Sequence, residues 1–86
     1  MFIIAYDISD SKERAKVVKI VEQYCRRVQK SVWMGELSSH ALNRLRRKLE
    51  ALDLQTGMVD IWEGRGTPRR IGGSEPFPAL EACHVV

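Results

Sequence analysis

The first seven-residue segment, Phe2 to Ile8 (FIIAYDI), is an apolar run that ends beside a carboxylate and is followed by Ser9-Asp10-Ser11. Its shortness, its isoleucines and the turn residues after it predict a buried strand rather than a helix. Polarity then changes period. Val17, Val18, Val21 and Cys25 recur at helical spacing while Lys12, Lys16 and Lys19 point elsewhere, which predicts a helix over Ser11 to Tyr24. Asp10 followed by Glu13 has the form of a capping box at its start. Val28 to Leu37 is strand-like, with Val32, Trp33 and Met34 favouring extended structure. Lys30-Ser31 can divide it into two short strands, and Gly35 can permit a bulge.

Ser38 or Ser39 is placed to cap a second helix whose apolar stripe is Leu42, Leu45, Leu49 and Leu52. That stripe is too short for a zipper and predicts a core face. Arg44 and Arg47 lie on its far side, with Arg46 and Lys48 on the flanks. Asp53 to Gly57 reads as a loop and Met58 to Glu63 as another strand. Residues 64 to 86 then hold all three prolines and four of the six glycines, with one extended piece, Arg69 to Ile71, able to pair with a sheet edge. The pattern divides the chain into a domain over residues 1–72 and a tail over 73–86, with packing of the tail on a partner subunit one option for it. The order β-α-β-β-α-β points to an α+β fold, a ferredoxin-like split βαβ sandwich with two helices on one face of an antiparallel sheet.

The chain has 86 residues, enough for a single domain. A chain of this size buries only about 60% of the surface it exposes when unfolded, so its core is thin. Antiparallel sheets tolerate one wet face, but the thin core and the aromatics predict that a second copy packs there, as a homodimer. The longest apolar run, Met1 to Tyr6, is too short to span a bilayer, and no basic segment precedes it to suggest a signal peptide. Cys25 and Cys83 lack C-x-x-C spacing, which excludes a zinc ribbon or a disulfide framework. The expectation is a soluble cytoplasmic protein with no membrane partner.

Charge changes the picture. The formal net charge is +3, but residues 12 to 48 carry eleven Lys/Arg against Glu13, Glu22 and Glu36, a local balance of +8 that leaves −5 elsewhere. A dense basic region is the footprint of a phosphate-backbone binder, although helices also carry Lys and Arg for solubility alone. Arg26-Arg27 and Lys30 bracket the start of the second strand, where phosphates could be gripped. Trp33 among them could stack on a base or fill the core. Arg14 lies near the valine side of its helix, and such a cation either snorkels or meets an anion, Asp7 or Asp10.

Asp7 is the leading candidate for chemistry. On a pleated strand it shares a face with Ile3 and Ala5, while Tyr6 faces the other way. A carboxylate at a rigid strand end suits Mg2+, which binds through one or two carboxylates; equally, it can cap the following turn. One such residue per chain makes a poor site, and a twofold axis would bring two copies together. His40 and His84 have no ligand-spaced partner, and the chain contains no phosphate loop or nucleophile elbow.

Tyr6-Asp7-Ile8 followed by Asp10, Lys12, Arg14 and Lys16, then Arg27 to Trp33 (RVQKSVW) and Gly35-Glu36-Leu37, resembles the small CRISPR adaptation proteins of the CRISPR-associated protein Two family. The likeness covers roughly the first fifty residues and extends loosely to the strand at Met58 to Glu63. It implies a ferredoxin-like homodimer that acts in spacer acquisition as a duplex-DNA-binding platform with the CRISPR integrase. It also implies the Mg2+-dependent endonuclease activity, on RNA or DNA, described for some members. The metal and catalytic aspartate of the family falls on Asp7 with Tyr6 beside it, and its substrate contacts fall on Arg14, Lys16, Arg27 and Trp33. A C-terminal strand that crosses to the partner's sheet would fall on Arg69 to Gly72. Trp33 stands where Phe is usual, Lys16 where Arg is frequent, Ala15 at a common Asn position and Cys25 in place of a helix-ending Gly. The competing reading is a ferredoxin-like regulatory or toxin-like module without a role in adaptation. It leaves the basic bias and Arg14 unexplained.

Overall fold

The computed structural model describes residues 1–73. Its elements are β1 (Phe2–Ile8), α1 (Ser11–Val21), β2 (Arg26–Gln29), β3 (Val32–Gly35), α2 (Ser39–Glu50) and β4 (Gly57–Glu63). The four strands form one antiparallel sheet in the order β2-β3-β1-β4. Both helices follow strands and lie on the same side, the ferredoxin-like arrangement. Among the described residues no helix is long and apolar enough to cross a membrane.

β1 is the central strand. It pairs with β4 along its whole length, Phe2 opposite Glu63 through Ile8 opposite Gly57, and with β3 from Phe2 opposite Gly35 to Ala5 opposite Val32. Its pleat buries Ile4, Tyr6 and Ile8 under the helices. The core is completed by Val17, Val21 and Tyr24 from α1 and the turn after it, by Trp33, and by Ala41, Leu45 and Leu49 of α2. The buried stripe of α2 is therefore centred on Ala41-Leu45-Leu49, a strict i, i+4 line. Leu42 and Leu52 flank it, half-buried.

Several boundaries differ from the sequence expectation, each for a packing reason. α1 ends at Val21 rather than at Tyr24. Tyr24 is 1% exposed, and the chain must turn there to bring that ring inward and start β2 two residues later. Of the two serines before α2, Ser38 is the cap, its Oγ accepting from the Ala41 amide at 3.1 Å. The hairpin does split at Lys30-Ser31, but the irregularity lies in β2 between Arg27 and Gln29 rather than at Gly35. Gly35 serves close approach instead: a Cβ there would sit 2.9 Å from the Tyr24 carbonyl oxygen and 3.0 Å from Cys25 Sγ.

The capping box forms only by half. Asp10 accepts from the Glu13 amide at 2.9 Å, as expected. The Glu13 carboxylate does not turn back. It accepts instead from the Gln55 amide at 2.8 Å, the Thr56 amide at 2.9 Å and the Thr56 hydroxyl. Thr56 in turn takes the Asp10 amide on its hydroxyl at 3.1 Å and the Ser9 amide on its carbonyl at 3.1 Å. The α2–β4 loop is thus tied to the β1–α1 junction, immediately after Asp7.

Beyond β4 the chain crosses the width of the sheet. The Gly64 amide donates to the Met1 carbonyl at 2.8 Å, and Arg70 Nη2 donates to the Val28 carbonyl of β2 at 2.7 Å. Arg69 to Ile71 is not a strand here; the arginine side chain supplies the contact with the sheet edge. The expected tail from residue 74 onward, with Cys83 and His84, lies outside the described residues.

Hydrogen bonds from Thr56 and from the Gln55 amide hold the Glu13 carboxyl below its ordinary value of 4.5. A depressed folded-state pKa contributes stability that is complete above that ordinary value and is lost as pH falls through the depressed one. Thermal melts of Glu13→Gln against the unsubstituted protein should show a lower Tm for the variant at neutral pH. The gap should narrow on acidification below about pH 4.5.

Candidate metal face and nucleic-acid interface

Asp7 lies on the sheet face opposite the helices, exposed, opposite Met58 of β4. Residues facing each other across an antiparallel pair share a face, so that face also carries Ile3 and Ala5 of β1, Val32 and Met34 of β3, and Arg26 of β2. From β4 it receives Met58, Asp60 and Trp62. Met58 and Trp62 are 59% and 47% exposed. Asp60 sits opposite Ala5, diagonally beside Asp7, and is a second carboxylate that the sequence did not single out. In Met58-Val59-Asp60-Ile61-Trp62-Glu63 apolar residues occupy both faces, so alternation alone could not say which way Asp60 points.

No group of three or more His, Cys, Asp or Glu able to hold a metal exists among the described residues. One chain therefore presents hard oxygen donors suited to Mg2+, but not a closed site.

Tyr6 and Asp7, adjacent in sequence, are on opposite sides of the sheet. Tyr6 is 6% exposed and its hydroxyl donates to the Lys30 carbonyl at 3.3 Å. The same hydroxyl accepts from Trp33 Nε1 at 3.4 Å. Trp33 is also 6% exposed, and the Arg27 guanidinium covers its ring at 4.8 Å from the centroid. Tyr6 thus faces away from Asp7, as the pleat predicts, and does not share a site with it as the family likeness implied; of the two readings of Trp33 the structure takes the core one, a ring roofed by an arginine rather than a platform for a base. Both rings pack under the helices because Tyr6 and Ile4, with Trp33 opposite Ile4, occupy the inward positions of their strands.

The Arg14 guanidinium pairs with neither the Asp7 nor the Asp10 carboxylate. Its Nη1 donates to the Ile8 carbonyl at 3.2 Å, holding the last residue of β1. Lys16 is exposed one turn along from Glu13 and helps to keep that carboxyl ionised. Arg26 and Arg27 alternate across the sheet: Arg26 shares the Asp7 face, whereas Arg27 shares the helix side with Trp33. Arg14, Arg27 and Lys30 converge with Tyr6 on one cleft between α1 and the β2–β3 hairpin. The outer side of the helical layer is rich in cations, with Lys12, Lys16 and Lys19 exposed on α1 and Arg46 and Arg47 exposed on α2, whereas Arg14 turns toward the end of β1.

A strand ending in an exposed aspartate, a basic helix after it and a short basic hairpin, in this topology, coincide with a known family. The family model described as CRISPR associated protein Cas2 matches residues 1–62. The chain belongs to the Cas2 family. Among its relatives, the Thermus thermophilus protein named CRISPR-associated endonuclease Cas2 2 is 32% identical over 87 residues, covering 100% of this chain and 96% of its own. The Synechocystis protein named CRISPR-associated endoribonuclease Cas2 3 is 38% identical over 52 residues, 60% of this chain and 56% of that one, so the match spans little more than half of that relative. A crystal structure of a hypothetical Thermus thermophilus protein superposes with a TM-score of 0.78 at 30% identity, over 93% of this chain and 95% of that chain. A crystal structure of Cas2 gives 0.75 at 26% identity, over 93% of each.

Within this Cas2 chain, the buried Tyr6 hydroxyl has a structural contact to lose. Tyr6→Phe removes both of its hydrogen bonds and leaves Trp33 Nε1 without its acceptor, so it should cost about 1–3 kcal/mol of folding stability while leaving duplex affinity unchanged. Denaturant melts paired with a binding titration check both outcomes.

Proposed function

We propose that the protein is a homodimeric, duplex-DNA-binding platform that works with the CRISPR integrase in spacer acquisition, and that an Mg2+-dependent phosphodiesterase activity resides at its twofold axis. The observation that carries this reading is the separation of chemistry between the two sides of the sheet. The helical layer is a broad cationic surface; the opposite face is apolar, with Met58 and Trp62 exposed around Asp7 and Asp60. A second copy packed on the apolar face would cover the exposed rings and methionines, bring the two Asp7 carboxylates together, and leave both cationic layers outward for phosphates. Burial of apolar surface favours this at roughly 25 cal/mol per Å2.

Two carboxylates approaching across a twofold repel unless a cation lies between them. Asp7, at the end of a strand paired on both sides, is fixed enough to serve as a ligand, and Asp60 stands in reach on the neighbouring strand. Mg2+ bound there would activate a water for attack on a phosphodiester. This chain's own contribution is to hold the carboxylates in register through the β1–β4 ladder and the Glu13–Thr56 tie. The exposed Arg26 supplies positive charge on the same face. The relatives named endonuclease and endoribonuclease support the hydrolytic part; the breadth of the cationic layer, set against one Asp7 per subunit, favours the platform as the principal role.

Asp7→Ala should abolish Mg2+-dependent cleavage while leaving dimerisation, read by sedimentation, and duplex binding intact. Its stability should change by no more than about 0.5 kcal/mol, because the side chain is exposed. Cleavage that persists in the purified variant would remove the catalytic assignment. Duplex affinity should fall with salt at a log–log slope of about −0.9 per phosphate contacted; a flat response would remove the platform. Spacer acquisition that continues in cells carrying Asp7→Ala separates the two roles.

A further inference from the structure

The open face of the sheet carries four residues in one line across the strands: Arg26 of β2, Met34 of β3, Ile3 of β1 and Trp62 of β4. Both helices lie on the other side, yet burial along this line is uneven. Trp62 is 47% exposed, whereas Met34 is 3% exposed. Among the described residues Met34 is the one buried hydrophobic side chain outside the cluster under the helices. It is therefore covered from the open side.

The chain that follows β4 passes there. Gly64 begins the crossing: a Cβ on it would meet Ile3 Cδ1 at 3.0 Å, so the backbone lies against the Ile3 side chain. Gly66 turns the chain with φ +76°, a conformation glycine adopts at no steric cost. Arg70 ends the crossing, its Nη2 donating to the Val28 carbonyl of β2 at 2.7 Å. Two strand spacings separate β1 from β2, about 10 Å, and six residue steps reach about 20 Å. The segment closes without being stretched. Pro68, half-buried in its middle, restricts the open alternatives and so lowers the entropy lost on closure.

We infer that residues 64–70 form a strap closed in cis over the Met34 end of the open face, with Arg70 as its latch, and that a second copy reaches that end only when the strap is released. The inference rests on the homodimer reading above and adds a control to it. The strap divides the face in two. Asp7, Met58 and Asp60 stay exposed beside it, while Met34 and part of Ile3 are hidden. A monomer thereby shields apolar surface, and the open fraction sets how much of the chain is competent to pair. Each copy brings one strap, so the apparent dissociation constant rises as the inverse square of the open fraction.

Sedimentation equilibrium of the full-length protein reads the pairing. Arg70→Gln removes the latch, and Arg70→Lys keeps its charge without the guanidinium fork. Gly66→Ala opens the strap by backbone strain alone, since nothing lies within 4 Å of a Cβ there. Arg70→Gln and Gly66→Ala are each expected to tighten the dimer about threefold to tenfold, with Arg70→Lys between Arg70→Gln and the unsubstituted protein. Closure is read separately, at concentrations where the chain is monomeric, by hydrogen peroxide oxidation of the methionines resolved by peptide mass spectrometry. Met34 is expected to oxidise at least about tenfold more slowly than the exposed Met58, and faster once Arg70→Gln or Gly66→Ala releases the strap.

A Met34 that oxidises as readily as Met58 in the unsubstituted monomer would overturn the inference. So would variants that leave the dimer unchanged, or that loosen it, because the segment would then be holding the partner rather than excluding it. Met34 protected in the unsubstituted protein and released in the variants, with no self-association of any of them, would support the strap and overturn the homodimer. Self-association with Met34 unprotected would overturn the strap and leave the homodimer standing.

Discussion

The pleat of β1 is the constraint from which the rest follows. This strand is hydrogen-bonded to β4 along its full length and to β3 over its first half, so it cannot rotate or slip without breaking two ladders at once. A slip of one residue would exchange every inward side chain for an outward one, putting Asp7 into the core and Ile8 into water. Two devices fix the register. Gly57 lets β4 come so close to the end of β1 that a Cβ there would lie within 2.0 Å of the Asp7 carbonyl oxygen. Glu13 gathers the loop before β4 with three hydrogen bonds, all to a charged acceptor and therefore among the stronger of their kind. Asp7 is positioned by these neighbours rather than by any bond of its own.

That division of the sheet has a functional consequence for a small Cas2-family protein. A chain of 86 residues cannot enclose an active site and also expose a binding surface on the same side. In this chain the exposed Asp7, Asp60, Met58 and Trp62 lie on the open face with Arg26, and most of the other cations of the basic segment lie on the helical side. The arginines illustrate how closely the pleat governs this: Arg26 and Arg27 are neighbours in sequence, yet one shares the carboxylate face and the other lies over Trp33 beside the cleft. Acidic residues within the basic segment are largely kept out of the way, Glu13 by its loop contacts and Glu36 by the amino terminus at 3.5 Å.

The fold was readable from the chain because its pattern changes cleanly, from a short apolar run bounded by turn residues in β1 to the 3.6-residue spacing of the helices. The readings that needed amending all depend on a partner distant in sequence. α1 ends early because Tyr24 has a cavity to fill. Glu13 leaves its local partner for Thr56, 43 residues away, and a capping box seen in sequence cannot register that competition. Trp33, for which the sequence left base stacking and core filling both open, is sent inward by its register opposite Ile4. Asp60 escaped notice because its strand is apolar on both faces.

Local chemistry, then, determined which segments are strands and helices, that the sheet has a helical side, that the cations concentrate between residues 12 and 48, and that Asp7 ends a strand. These depend on spacing and residue type over a few positions, which a linear chain displays openly. Tertiary structure decided which residues meet: Asp60 beside Asp7, Arg14 on the Ile8 carbonyl, Tyr6 joined to Trp33, and a cleft built from α1 and a hairpin. Those meetings are set by strand order and register, which arise from the mutual burial of side chains far apart in the chain, and no local pattern encodes them.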